Sequence, residues 1–155
     1  MLKKISFIGL FIGVTALSAL SARSVSFLVI ETGLTTENYA SRHSALWEDS
    51  LMDYFFESGF IVSNAPKIRL LHTPDAGFPY EAEKDFEDAI EGGMHYFIIA
   101  IVAHPAPHNV SLRLFRTGSQ EMIYEHLYTD RIYRTLREET EEVMSNIRNI
   151  ATRLQ

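Results

Sequence analysis

The sequence predicts an α/β (α+β) fold in the order β-α-β-α-β-β-β-α, a mixed sheet with an antiparallel C-terminal meander and helices packed on it. Three observations carry that prediction. Residues 25–31 (VSFLVIE) and 96–103 (YFIIAIVA) are apolar runs rich in β-branched and aromatic residues, too short to span a membrane and suited to strands buried on both faces. Residues 37–58 and 80–91 instead repeat apolar side chains at three- and four-residue steps, the period of a helix. From Tyr96 to Asp130, apolar or alternating segments are joined by short turns, which reads as a three-stranded antiparallel meander.

Ahead of the first strand lies a positive start at Lys3 and Lys4, a stretch of apolar and small residues from Ile5 to Leu20, and small residues at Ala19, Ser21 and Ala22. That is the layout of a secretory signal peptide, with cleavage after Ser21 or after Ala22 and an uncleaved membrane anchor as the alternative. Residues 1–22 are therefore assigned as the signal peptide, and 23–155 as a single α/β domain. The short basic start and apolar core look bacterial, so the destination is the periplasm or beyond, with no membrane insertion after cleavage. Because cysteine is absent, no disulfide framework supports the fold and no lipobox is present; a lipoprotein anchor is not expected.

The first strand is ended by Gly33, and Thr35 or Thr36 can cap the helix that follows. On that helix Tyr39, His43, Leu46, Trp47, Leu51, Tyr54 and Phe55 share one face, and Gly59 stands where a left-handed C-terminal cap belongs. A short return strand at 60–63 completes a βαβ unit, and residues 67–71 can continue the extended run. A loop rich in proline and glycine at 72–79 leads to the second helix, with Ala82, Phe86, Ala89 and Ile90 inward and acids on the rest. In the meander Val110, Leu112 and Leu114 fall on one face. In its last strand Met122, Tyr124, His126 and Tyr128 fall on one side, Ile123 and Leu127 on the other. The final helix carries Ile132, Leu136, Val143, Ile147, Ile150 and Leu154 as a stripe; Thr135 with Glu138 matches a capping box, and Asp130 is a rival cap.

Charge removes two function classes. The chain has 20 acidic against 14 basic side chains, and loss of Lys3 and Lys4 would leave a formal charge of about −8. Nucleic-acid binding depends on neutralising phosphates, so nucleic acid is not expected as a partner; an anionic lipid surface is disfavoured for the same reason.

The most suggestive chemical feature is residues 104–108, HPAPH. His104 and His108, four apart on a constrained turn, can share Zn²⁺ or Cu²⁺, with a third ligand from His72 or His95; the bland alternative is a polar turn holding two histidines. His43, His95 and His126 read as packed residues with satisfied ring nitrogens. Nothing resembles a nucleophile elbow. A hydrolase built on two carboxylates stays open as an alternative, yet the acids of the second helix and Glu138, Glu139, Glu141 and Glu142 read as solvated or dipole-favoured helix positions. No cofactor is expected. Trp47 and Phe55 are expected to be buried; Tyr54, Tyr128 and Tyr133 to be partly exposed.

The order of elements, with residues 51–64 (LMDYFFESGFIVSN), 91–99 (EGGMHYFII) and 114–118 (LFRTG), resembles the small periplasmic α/β module of the TolB N-terminal domain. The same module occurs in the curli-secretion protein family and the outer-membrane activators of penicillin-binding proteins. The resemblance spans nearly the whole chain beyond the leader and rests on patterns of shape. It implies an exported, non-catalytic adaptor that binds another protein of the bacterial envelope. It departs from the group in lacking the lipobox cysteine of the activators and curli proteins and in carrying the HPAPH turn. Arg113, Arg116, Tyr124 and Tyr128 of the meander are the candidate partner-binding residues, and a free sheet edge is a second route to a partner.

Overall fold

A computed structural model describes residues 22–33, 42–104 and 107–154. Residues 1–21 of the expected signal peptide, the threonine cap and first turns expected for the first helix (with Tyr39), and Pro105 and Ala106 lie outside these residues.

The expected order of elements is present. Strands β1 (Ser24–Thr32), β2 (Ile61–Asn64), β3 (Ile68–Leu70), β4 (Tyr96–Ala103), β5 (His108–Arg116) and β6 (Glu121–Arg131) form one six-stranded sheet with helices α1 (Arg42–Glu57), α2 (Glu83–Glu91) and α3 (Leu136–Ala151). The strand order is β2-β1-β4-β5-β6, with β3 continuing along the same side of β1 as β2. β1 pairs parallel with β2, β3 and β4, and the β4-β5-β6 meander is antiparallel, so the sheet is mixed.

Burial explains why the two apolar runs read as they do. All nine residues of β1 are buried, as are Phe97 to Val102 in β4, because helices cover both faces of the sheet's centre. On one face α1 and α3 enclose Val25, Phe27, Val29, Ile98, Ala100, Leu112 and Leu114 around Trp47, Leu51, Phe55, Val143, Ile147 and Ile150. On the other, α2 and the short turn before it (Tyr80–Ala82) pack Ala82, Phe86 and Ala89 against Leu28, Ile30, Phe97, Ile99, Ile101 and Phe115. Each large apolar side chain so buried contributes about 1.5–3 kcal/mol.

Local chemistry sets the ends of the helices. Gly59 takes φ +82, and the Phe60 and Gly59 amides donate to the carbonyls of Phe55 and Phe56, the paired bonds that close a helix C-terminus on a left-handed glycine. Thr135, not Asp130, caps α3: its side chain accepts from the Glu138 amide at 3.1 Å, while the Glu138 carboxylate accepts from the Arg134 amide at 3.0 Å. Asp130 adopts φ +55 at a bulge opposite Asn109, whose side-chain oxygen accepts from the Asp130 amide.

A second bulge changes one strand's facing. Leu114 pairs with Tyr124 but Phe115 pairs with Met122, leaving Ile123 as the extra residue. Met122 therefore shares the face of Phe115, and Ile123 packs with Tyr124 against the α1/α3 core. The alternation expected for Met122 and Ile123 is inverted, because an inserted residue shifts the two-residue period by one. Among the expected apolar stripe of α3, Val143, Ile147, Ile150 and Leu154 are buried, whereas Ile132 and Leu136 precede or open the helix and are exposed.

Candidate functional site

The sheet's growth reverses at β1, with β2 and β3 on one side and β4 on the other. In open α/β sheets the crevice at the carboxyl ends of the strands flanking such a reversal is the usual ligand site. Here those ends are Thr32 and Ala103. The His104 amide donates to the Thr32 carbonyl at 2.9 Å. Gly33, at φ +77, sits so close that a Cβ would stand 2.2 Å from the His104 carbonyl oxygen, so only glycine lets the two strand ends meet.

Three imidazoles gather at this point. His43 and Ser44 come from the start of α1, His104 from the end of β4, and His108 from the start of β5. The His43 and His108 rings stack with centroids 4.3 Å apart and an interplanar angle of 21°; His104 stands 5.2 Å from His108 and 6.4 Å from His43. The Tyr133 ring lies 5.5 Å from His43. His43 Nδ1 donates to Glu139 Oε1, and Glu139 Oε2 also accepts from Arg42 at 3.1 Å. His108 Nδ1 donates to the Ala103 carbonyl at 3.3 Å, and His104 Nε2 is 3.1 Å from the Ser44 hydroxyl. His43 is only 4% exposed, and its Nε2 has no hydrogen-bond partner among the described residues.

Burial dominates the electrostatics. Desolvation lowers the His43 pKa against the opposing bond to Glu139, with neighbouring His108 lowering it further. His104 is pushed down to about 4, first by burial and then by the charge of a protonated His108. Burial pushes the Tyr133 hydroxyl up to about 12, with Glu142 adding to the effect. His43 and His104 are therefore neutral at neutral pH, each with a lone pair to give.

His104 and His108, paired by the sequence reading, do stand together, but neither expected third ligand joins them. His72 is in the exposed 72–79 loop, and His95 precedes β4, about 25 Å away along an eight-residue strand, where its Nδ1 accepts from the Ser24 hydroxyl at 2.7 Å. The third imidazole is His43, expected as a packed residue with both nitrogens satisfied. Glu139, expected on a solvated helix face, is buried and holds it. The sequence offered one signal for this: His43 begins the crossover helix after β1, whose start always returns near the carboxyl end of its own strand. His95 and His126 are exposed and do not pack in the interior.

The four meander residues divide evenly. Arg113 is 4% exposed and Tyr128 is 7% exposed, so neither offers its side chain to a partner. Arg113 Nε donates to Glu125 Oε1 at 2.9 Å, and its Nη1 donates to the Gly77 carbonyl at 2.6 Å, tying the 72–79 loop over β5 and β6. Tyr128 belongs to the α1/α3 core, and burial raises its pKa. Arg116 is exposed and lines a cleft of about 450 Å³ with His95, Tyr96 and Thr117. Tyr124 is half-buried with the Arg153 guanidinium 5.7 Å from its ring centre. A second cleft, of about 350 Å³, is bordered by Arg23, Tyr54, Phe60 and Arg148. Neither of these two clefts is lined by a carboxylate.

The two sheet edges differ. On one side the edge consists of β2 and β3, four and three residues long, separated by Pro66 and flanked by Lys67 and Arg69, whose charges meet Glu31 at 3.7 and 3.1 Å. Shortness, proline and charge are the usual protections of an edge. On the other side β6 runs for eleven residues without proline, and no described strand pairs with its outer edge. Its bulges sit near the two ends, so the central residues 124–128 form a regular run, exposed at Glu125, His126 and Leu127, the last at 58%.

Fold and edges together define a three-layer α/β domain with an open mixed sheet. Residues 24–112, more than half of the chain, match the model of a protein family described as "Uncharacterised protein", and the chain belongs to that family. No curated protein matches it. Among solved structures it is similar to TolB from Acinetobacter baumannii, at 12% identity and a TM-score of 0.50, covering 86% of this chain and 29% of TolB. The PelC dodecamer from Paraburkholderia phytofirmans gives 14% identity and a TM-score of 0.48 over 86% of this chain and 88% of that one. The LpoB C-terminal domain from Escherichia coli gives 13% and 0.44 over 70% and 83%. The resemblance to the TolB group read from the sequence is thus present at the level of fold. No described helix is long and apolar enough to cross a membrane.

Proposed function

We propose that residues 23–155 form an exported, non-catalytic binding domain of the bacterial cell envelope, released by removal of residues 1–22, and that the domain acts through protein–protein contacts. The observation that carries this reading is the contrast between the sheet edges: the β2/β3 edge is short, proline-broken and charged, while β6 presents eleven residues with a regular centre exposed at residues 125–127. An added strand takes its affinity from main-chain bonds and its specificity from alternate side chains. On β6 those are Tyr124 on one face and Met122, Glu125 and Leu127 on the other, with Arg116 beside the hairpin. The TolB-like fold supports an envelope setting for such an edge.

The test is crosslinking in the cell followed by recovery of the tagged protein against a tag-only control. One enriched envelope protein, lost when Leu127→Glu or Arg116→Glu is introduced, is expected. Recovery no greater than the control at native expression, or enrichment indifferent to both substitutions, would contradict the reading.

A further inference from the structure

The geometry points to a site for one divalent transition cation, of the zinc or copper class, at the carboxyl ends of β1 and β4. His43, His104 and His108 supply imidazole nitrogen and Glu139 orients His43 from behind. This lies outside the binding role of β6 and does not depend on it.

The argument begins with the tautomers. A ring nitrogen that donates to a carboxylate or a carbonyl leaves its partner nitrogen as a lone pair, and metal-bound histidines are held in this way. His43 donates from Nδ1 to Glu139, and His108 donates from Nδ1 to the Ala103 carbonyl; in both rings Nε2 is left as the ligating atom. Glu139 is itself fixed by Arg42 at 3.1 Å. The second observation is independent: His43 Nε2 is a deeply buried acceptor without a donor among the described residues. An acceptor in that position costs free energy until something electron-poor meets it. Imidazole donors select zinc, copper and nickel over the hard oxygen-seeking ions.

The rings do not yet converge. Among the described residues no three His, Asp or Glu side chains are placed to hold a metal ion, because His108 lies stacked on His43 and His104 Nε2 is engaged by Ser44. Coordination requires half-buried His108 to turn out of the stack and His104 to exchange its hydroxyl partner. Both side chains are only half-buried, whereas His43 is held by Glu139. That rearrangement lowers affinity, so micromolar binding is expected rather than the tighter binding of a preformed structural site.

The purified, chelator-stripped protein is titrated calorimetrically with Zn²⁺ and Cu²⁺, with Mg²⁺ as the hard-ion control, and with Co²⁺ followed by its visible spectrum. Expected are one ion per chain, micromolar dissociation constants, visible bands of imidazole-bound Co²⁺ and no heat from Mg²⁺. His108→Ala is expected to weaken binding at least tenfold, and Glu139→Gln by about 10–100-fold. His72→Ala and His126→Ala, at exposed positions, leave it unchanged. Circular dichroism of each variant separates loss of the site from loss of the fold, and ring-nitrogen NMR of the unaltered protein reads Nε2 of His43 directly. No saturable binding below about 100 μM would overturn the proposal. So would binding that survives His108→Ala and His104→Ala, or a His43 Nε2 signal that zinc does not move.

Discussion

Replacing Arg113 with methionine separates fold support from partner binding more cleanly than any other change in the meander. Arg113 is 4% exposed, and its guanidinium makes two charge-assisted bonds, to Glu125 at 2.9 Å and to the Gly77 carbonyl at 2.6 Å. Breaking a fully buried ion pair from one side costs about 3–5 kcal/mol, mostly through the charge left behind. Glu125 is 39% exposed on its side chain, so water can take over its carboxylate, and methionine recovers part of the stem's packing. We therefore expect a loss of about 2–3 kcal/mol for Arg113→Met. Glu125→Gln should cost about 1 kcal/mol or less, because a neutral amide can still accept from the guanidinium. Urea unfolding of the two single variants and the double variant gives the coupling, expected at about 1 kcal/mol or more. Partner recovery should be unaffected wherever Arg113→Met remains folded. A variant within about 0.5 kcal/mol of the parent, or one that loses its partner at full stability, would refute the assignment of Arg113 to the fold.

Three further outcomes are expected. Gly33→Ala places a Cβ 2.2 Å from the His104 carbonyl at φ +77 and should cost at least about 2–3 kcal/mol, read as a lower urea midpoint; an unchanged midpoint would show that the strand ends are not in contact. In chelator-containing buffer, stability should fall with acid, because the folded His104 has its pKa lowered from 6.5 to about 4. Between those values the unfolded chain binds the extra proton, so stability is full above about pH 6.5 and is lost as pH falls toward 4. The shift corresponds to at most about 3 kcal/mol, reduced to about 1–2 kcal/mol by the ring's partial contact with solvent; His43 shifts in the same direction, and a His104→Gln variant should flatten the profile. Thr135→Ala removes the side chain that accepts from the Glu138 amide at 3.1 Å and should cost about 1 kcal/mol in thermal or urea unfolding.

Local rules reached far into this fold. The bounds of β4, the left-handed Gly59, the Thr135 cap and the inward face of α2 all follow from neighbours within a few residues, and the structure has them. Failures came where a distant segment decides. Arg113 and Ser111 alternate with Val110, Leu112 and Leu114 and so look like the wet face of a strand, yet the 72–79 loop crosses them and gives Arg113 a carbonyl partner. Tyr128 looked like an exposed meander tyrosine but lies within the core that α1 and α3 enclose. The face of Met122 departs from simple alternation because a bulge adds one residue that no propensity announces. At the candidate site, His104 and His108 are close in sequence and were visible. His43 and Glu139 are 96 residues apart, and their bond exists only because α1 and α3 share one face of the sheet. The acidic run around Glu139 disguised it further, since three of its four glutamates sit at partly or fully exposed positions.

The central claim is that β6 carries the partner, and a photo-crosslinking residue placed in turn at Leu127, Met122 and Phe56 tests it in the cell. Phe56 is the control of choice: at 70% exposure it is more accessible than Leu127 and lies on α1, away from the meander. The account predicts one adduct with an envelope protein from positions 127 and 122 and none from 56. An adduct from position 56 alone, or none from either β6 position while the protein is present at normal level, would contradict it.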